Sequence, residues 1–247
     1  MPDIERRSLS VVVPCYNEGK NLSLVLEHFT RPLKKRTDVE LILVNNGSQD
    51  NSHDILAAYV SSGGIRNLKV VELEHNQGYG GGILAGLAEA SGKYLGWTHA
   101  DLQTDPEDVF KAWDVLSSKA EGLKVLVKGR RSGRGAAESL LSFMMGVVAS
   151  LALKQKLQDI NAQPKLFPRE LYQKMVSPPR DFSLDLYLLY LANIEGYQIL
   201  NIPVLFRKRQ QGEAKGGGSW ATRSRLIRRT WQYIFELSSK LQKEQHA

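Results

Sequence analysis

Cysteine is almost missing from this chain. Cys15 is the only one in 247 residues, so no disulfide can form within it, which fits a reducing compartment. The first residues, MPDIERRSLS, lack the apolar core of a signal peptide. The longest near-apolar run, LLSFMMGVVASLAL at 140–153, falls short of the roughly 20 residues a spanning helix needs. These absences predict a cytoplasmic protein without a transmembrane segment. No internal repeat and no linker composition is present, so one principal domain is expected over 1–219. Residues 220–247 form an amphipathic helical segment packed on that domain or at a membrane interface. Acidic residues are in deficit, 26 against 33 Lys and Arg, leaving a net charge of +7. That balance favours anionic partners such as nucleotides, phosphates or acidic membrane surfaces. Hydrophobic residues make up 42%, enough for a sizeable core.

Short β-rich runs alternate with helical stretches through the first half. LSVVVP (9–14), VELILV (39–44), LKVVELE (68–74), KYLGWTH (93–99) and LKVLVKG (123–129) read as strands. Helices are expected at 20–30, 50–61, 81–91 and from Pro106. This rhythm predicts an α/β fold with a mainly parallel sheet covered on both faces. Beyond it, 136–156 and 183–196 read as helices. DINAQPKLFP is irregular or a short strand, YQILNIPVLFRKR is a strand pair or one long strand, and 221–243 is a last helix.

Ligands of such sheets bind beyond the carboxyl ends of the strands. That rim collects PCYNEG, NNGSQD, EHNQGYGGG, HADLQTDP and GRRSGRG. NQGYGGG supplies glycines where backbone amides can approach phosphate, or where strand and helix pack closely; it lacks the Lys and Ser/Thr of a Walker loop. Asp101 and Gln103, two residues apart, point to one side of an extended segment and offer hard oxygen ligands for Mg²⁺ or Mn²⁺. Diphosphate oxygens and water would complete the octahedron. Asp105 before Pro106 reads as a helix cap. GRRSGRG is basic without interleaved aromatics, so nucleic acid is not the expected partner.

VVVPCYNEGKNL, LILVNNGSQD, NQGYGGGILAGL and HADLQTDPED together resemble the nucleotide-binding half of family 2 glycosyltransferases of the GT-A fold. ADLQ, KLFPREL (165–171) and RQQGEAK (209–215) are similar to segments of the polyprenyl-phosphate sugar transferases within that family. The resemblance implies that Pro14, Tyr16 and Glu18 border base and ribose and that Asn45 or Asn46 meets the base edge. Asn76, Gly78, Gly81 and Ala100 would complete the nucleotide site. It implies a divalent metal held by Asp101 and Gln103, with His99 beside them. Arg131, Arg209 and Lys215 would bind the donor diphosphate and an acceptor phosphate, and Asp101, Arg131 and Asp185 are the expected catalytic residues. Sugar transfer, inverting, to a polyprenyl phosphate at the inner membrane face is the expected activity.

Two departures from the family pattern stand out. NNGS replaces the usual DDGS, so two carboxylates are amides. An amide cannot accept both N–H groups of a guanine edge, which tilts the expected donor toward a UDP-sugar. His99 stands where an Asp is common, removing one negative charge. A catalytically silent nucleotide-binding homologue is therefore one alternative. Another is transfer to a hydroxyl of a polysaccharide, glycolipid or protein. That route needs a general base, for which Asp181 and Asp185 are candidates, although Asp185 also reads as a polar residue on the outer face of its helix. Ser139, Ser142, Gly146 and Ser150 form a small-residue stripe along an otherwise apolar helix, and the arginines at 223–229 crowd the last helix. The first is either buried or lies against lipid; the last has the composition of an interfacial helix on an anionic membrane, or packs on the domain with its arginines solvated or facing the donor phosphate.

Overall fold

In the computed structural model, residues 9–63, 67–119, 123–207 and 228–239 are described. Seven strands form one sheet: β1 (Leu9–Cys15), β2 (Val39–Asn46), β3 (Leu68–Leu73), β4 (Tyr94–Trp97), β5 (Val125–Ser132), β6 (Lys165–Pro168) and β7 (Gln198–Leu205). Their order is β3-β2-β1-β4-β6-β5-β7. Neighbours run parallel except for β6, which is antiparallel to both β4 and β5. The short-strand reading of KLFP therefore holds, and YQILNIPVL is one strand. Pro203 is tolerated within it because β7 is an edge strand.

Alternation along the strands divides the core in two. Val11, Val13, Leu41, Leu43, Val125 and Val127 face one layer, with α1 (Gly19–Leu33) and α4 (Asp108–Lys119) over them. Val12, Ile42, Val44, Leu95, Trp97 and Leu126 face the other, under α3 (Gly78–Ala88) and α7 (Leu184–Ile194). A side chain at Gly86 would meet Val12 and Val44 at 2.4 and 2.8 Å, so α3 lies on β1 and β2 closer than any other residue would permit. The remaining helices are α2 (Ser52–Ser61), α5 (Ala136–Leu153) and the short α6 (Arg169–Gln173).

A last helix, α8, covers residues 228–239. Ile234 is fully buried in the second core layer, and Ser238 Oγ donates to the Ala152 carbonyl at 3.0 Å. One face of α8 thus packs on the domain, while Phe235 stays exposed.

The sheet order reverses between β1 and β4. Chain connections leave this pair in opposite directions, which opens a crevice at their carboxyl ends. The loops after β1, β2, β4 and β5 converge there.

Candidate active site

The first corner of the rim is laced by amides, hydroxyls and backbone groups together with the Asp50 and Glu18 carboxylates. Asn17, in the left-handed region at φ 51, accepts the Gln49 N–H at 2.7 Å, and Ser48 Oγ accepts the Asn17 N–H at 2.9 Å. Asp50 accepts the Gly19 N–H at 3.0 Å and both donors of Ser52. Burial works to raise the Asp50 carboxyl, but those hydrogen bonds outweigh it and hold it low. Glu18 accepts Asn21 Nδ2 at 2.6 Å, and its carbonyl opens α1. Pro14 and Tyr16 remain half-buried at the end of β1, on the crevice.

The two asparagines have other partners than a base edge. Asn45 Nδ2 donates to Glu72 at 2.7 Å, and Asn46 Nδ2 donates to the Gly78 carbonyl at 2.9 Å. Asn46 Oδ1 simultaneously accepts the Gln77 N–H at 2.9 Å. Only an amide serves both a carbonyl and an N–H; a carboxylate at 46 would face the Gly78 oxygen without a donor. The amides that look like a loss in sequence thus tie β2 to β3 through Asn45 and to the turn before α3 through Asn46.

That turn is not an open phosphate cradle. Asn76 Oδ1 accepts the Gly78 N–H at 2.8 Å, and the Gly81 N–H donates to the Arg180 carbonyl at 2.9 Å. Side chains at Gly78 or Gly80 would meet backbone oxygens of Arg180 or Pro179 at 2.6 Å. The glycines admit the 179–181 backbone over the start of α3, which is the close-packing role.

After β4 the loop turns sharply. Ala100 is buried, Leu102 is left-handed at φ 54, and Asp101 Oδ1 accepts the Gln103 N–H at 3.1 Å. Gln103 Nε2 donates to the Arg207 carbonyl at 3.3 Å, which leaves its Oε1 as the acceptor end. Asp105 accepts the Glu107 N–H at 3.0 Å and caps the start of α4. His99 stacks on the Tyr79 ring at 5.3 Å, and Tyr79 stacks on Phe182 at 4.5 Å. Burial pulls the His99 imidazole down, with Lys165 and Arg131 adding to it against Asp101 and Asp185, so the ring is neutral near pH 7. A carboxylate, an amide oxygen and an unprotonated imidazole suit Mn²⁺ or Mg²⁺. Among the described residues no three His, Cys, Asp or Glu side chains converge into a group that could hold a metal ion by itself.

Asp185 does not lie on the outer face of its helix. It is fully buried and pairs with Lys165 Nζ at 2.7 Å. Trp97 Nε1 and Gln163 Nε2 each donate to it at 3.1 Å, and the Tyr79 hydroxyl does so at 3.3 Å. Four donor side chains thus occupy this carboxylate inside the core. It holds Tyr79 from below, and through that ring it holds His99. Burial pulls the Lys165 amine down, and Asp185 beside it acts the other way.

Arg131 also comes with a partner. Its Nε and Nη2 donate to Asp159 Oδ1 at 2.8 and 2.5 Å, its N–H donates to Oδ2 at 2.7 Å, and its guanidinium lies 5.4 Å from the Phe206 ring centroid. Arg209 and Lys215 lie outside the described residues. Tyr79, Gln163, Lys165 and Asp159 escaped the sequence reading. Lysines inside the buried strands VLVK and KLFP are the signal that could have found this charged floor.

The small-residue stripe of α5 has a local purpose. Residues 155–159 run back along it: a side chain at Gly146 would meet the Leu157 carbonyl at 2.9 Å, and Ser150 Oγ accepts the Leu157 N–H at 2.9 Å. The opposite face is bare, with Leu140, Leu141, Phe143, Met144, Val147 and Leu151 exposed. By length and composition this 18-residue helix is apolar enough to cross a membrane, four residues longer than the 140–153 run seen in sequence (18 against 14).

Comparison with known proteins bears on the fold and the family. The sequence profile of glycosyl transferase family 2 matches residues 10–176. An undecaprenyl-phosphate 4-deoxy-4-formamido-L-arabinose transferase from Serratia proteamaculans is 28% identical over 85% of the chain and 63% of its own length. A dolichyl-phosphate beta-glucosyltransferase from Dictyostelium discoideum is 25% identical over 81% of the chain and 65% of its own length. The chain thus spans less than two thirds of the curated relatives it matches. Among solved structures, glucosyl-3-phosphoglycerate synthase from Mycobacterium tuberculosis, in complex with Mn²⁺, UDP and phosphoglyceric acid, superposes with a TM-score of 0.70. It is 22% identical over 94% of this chain and 78% of that one. A mannosyltransferase from Pyrobaculum calidifontis, in complex with GDP-Man and Mn²⁺, gives 0.62 at 19% identity, over 86% and 60%. The sheet is that of a GT-A glycosyltransferase, and the chain belongs to glycosyl transferase family 2.

Proposed function

We propose that the protein transfers a sugar from a nucleotide-sugar donor to a polyprenyl phosphate at the inner face of a membrane. The observation that carries the acceptor is a juxtaposition. Arg131 and Arg134 lie at the end of β5, and α5, with its bare apolar face, starts two residues later at Ala136. A phosphate carried on a hydrocarbon chain meets both features at once. Lying in the plane of an anionic membrane suits α5, because its other face is occupied by the 155–158 strap and by burial of Gly146, Ala149 and Leu153. The relatives named above support the same acceptor class.

The residues allot the work as follows. Pro14 and Tyr16 border the nucleoside. Asp101 and Gln103, with His99 behind them, would hold a Mg²⁺ or Mn²⁺ that supplies charge neutralisation on the leaving diphosphate. The arginines orient the attacking phosphate. That phosphate is already an anion, so no general base is needed, which is consistent with the burial of Asp185. A UDP-sugar remains the donor we favour, because neither 45 nor 46 offers a carboxylate to guanine and the nearby Glu72 is engaged by Asn45 and His53. Arg209 and Lys215 are proposed as further phosphate ligands.

The test is incubation of the full chain with radiolabelled UDP- and GDP-sugars, Mn²⁺ or Mg²⁺, and vesicles containing undecaprenyl phosphate. Label extracted with the lipid from UDP-sugars supports the reading. Transfer only to hydroxyl acceptors would overturn it. Phe143→Ser with Leu151→Ser should abolish vesicle binding and leave the melting temperature within about 2 °C, since exposed side chains contribute little to folding.

A further inference from the structure

Around Asp159 the cations outnumber the anion. Arg131 grips its carboxylate through three donors, and Arg134 Nη2 reaches the same Oδ1 at 3.4 Å. Lys128, also buried, donates to the Asp159 carbonyl at 3.2 Å. Two guanidinium groups thus share one carboxylate, with Lys128 on the backbone behind it. The Arg134 side chain is only 10% exposed; its Nη1 donates to Ser142 Oγ at 2.7 Å, and its buried Nε has no hydrogen-bond partner. A buried guanidinium donor left unmatched costs free energy, and an anion seated there would remove that cost. Asp159 itself is held at φ 44, a left-handed conformation unfavourable for a residue with a side chain. It is presented by the strap that returns along the small-residue stripe of α5.

We propose that Asp159 is a resident anion in a phosphate seat made by Arg131 and Arg134, and that an incoming phosphate binds by displacing it. Arg131 brings two guanidinium N–H groups to one oxygen and its backbone N–H to the other, donors that phosphate oxygens can take over, and the unmatched Arg134 Nε provides the additional donor that a tetrahedral anion can engage and the single carboxylate does not. The resident carboxylate keeps the seat neutralised until a ligand with more oxygens and more charge arrives. This deepens the transferase reading and rests on it for the identity of the ligand, not for the existence of the seat. The shared chemistry is a phosphate group, from either the lipid acceptor or the donor diphosphate.

Isothermal titration of the full chain with inorganic phosphate, with dodecyl phosphate below its micelle concentration, and with UDP tests the seat. Asp159→Asn tolerates the left-handed backbone and removes the competing charge, and it should bind inorganic phosphate at least about tenfold tighter than wild type. Asp159→Gly, suited to the same φ, serves if the first variant does not fold. Arg134→Gln, which leaves the Asp159–Arg131 pair intact, should weaken phosphate binding by about tenfold. Folded Asp159 variants that bind phosphate no better than wild type, or an Arg134→Gln affinity that does not change, would overturn the proposal. A gain for dodecyl phosphate without UDP assigns the seat to the acceptor, and a gain for UDP assigns it to the donor; either supports it. The titration needs no turnover, so failure of sugar transfer with a tighter Asp159→Asn would count against the transferase reading alone.

Discussion

The two corners of the rim are built from different chemistry. At the carboxyl ends of β1 and β2, neutral amides, hydroxyls and backbone groups do most of the joining: Asn17 with Gln49, Ser48 with Asn17, Asn46 with Gln77 and Gly78. At β4, β5 and β6 the contacts are charged and buried: Lys165 with Asp185, Arg131 and Arg134 with Asp159, Lys128 among carbonyls. The first corner is a preformed cradle in which each polar group has a modest partner. The second is a charge balance under a low-dielectric floor, where removing one member leaves another exposed to the full desolvation cost. A nucleoside needs shape and a few fixed hydrogen bonds. A diphosphate meeting a second phosphate needs surplus positive charge held in place.

Asp185→Asn strikes the charged corner hardest. It leaves Lys165 a fully buried cation without its counter-ion and turns one of the two acceptor oxygens into an amide donor, so Trp97, Gln163 and Tyr79 are left to share a single oxygen. A loss of about 3–5 kcal/mol is expected, a large part of the stability of a typical domain. Urea unfolding measures it. Replacing both partners, Lys165→Met with Asp185→Leu, should be less damaging than Asp185→Asn, because no charge is stranded. If Asp185→Asn instead folds with wild-type stability and loses turnover at unchanged donor affinity, the carboxylate acts as a base and the contrast between corners collapses.

Asn46→Asp probes the neutral corner and should cost less. The new carboxylate keeps the Gln77 N–H but faces the Gly78 carbonyl with no proton to offer, for a loss of about 1–3 kcal/mol. Restoring the acid of the family pattern should therefore destabilise this chain. A gain in stability on Asn46→Asp, read as a raised urea midpoint, would show that the cradle tolerates charge as the other corner does.

Much of this was legible in the sequence, and the reason is physical. Strand periodicity, β-branched runs and glycines at strand ends are local signals, so the first five strands and the rim they share were readable. Asp101 and the Asp105 cap sit in one loop and bond locally to the Gln103 and Glu107 N–H groups, whereas the Gln103 side chain is tied to Arg207, far along the chain. What escaped depends on partners far apart in the chain. Asp185 looks like a solvated helix residue until β6 brings Lys165 to it from 20 residues away, and Asp159 reaches Arg131 across 28. Asn45 and Asn46 appear to be lost acids until Glu72 and Gly78 are placed beside them. The bare face of α5 was visible as composition, but only the fold shows which side the strap covers.

The smallest effect, and the one that separates the corners by titration, belongs to Lys128. Burial first, then Lys165 and Arg131, lower its amine to about 7 from an ordinary 10.5. Between those values the unfolded chain carries a proton that the folded chain has released, so stability rises with pH. The penalty of the buried charge is fully present below pH 7 and fades as pH rises toward 10.5. One such proton gives a slope of up to about 1.4 kcal/mol per pH unit. Urea midpoints at pH 7, 8 and 9 for wild type and Lys128→Met should differ in slope by that component, whatever baseline shift the lost contacts to Gly129 and Asp159 introduce. The His99 and Tyr79 contributions are common to both proteins and cancel in the difference. Parallel slopes would mean that Lys128 stays protonated across this range, and the surplus charge at the β5 end would then be a full unit greater above pH 7 than the lowered pKa implies.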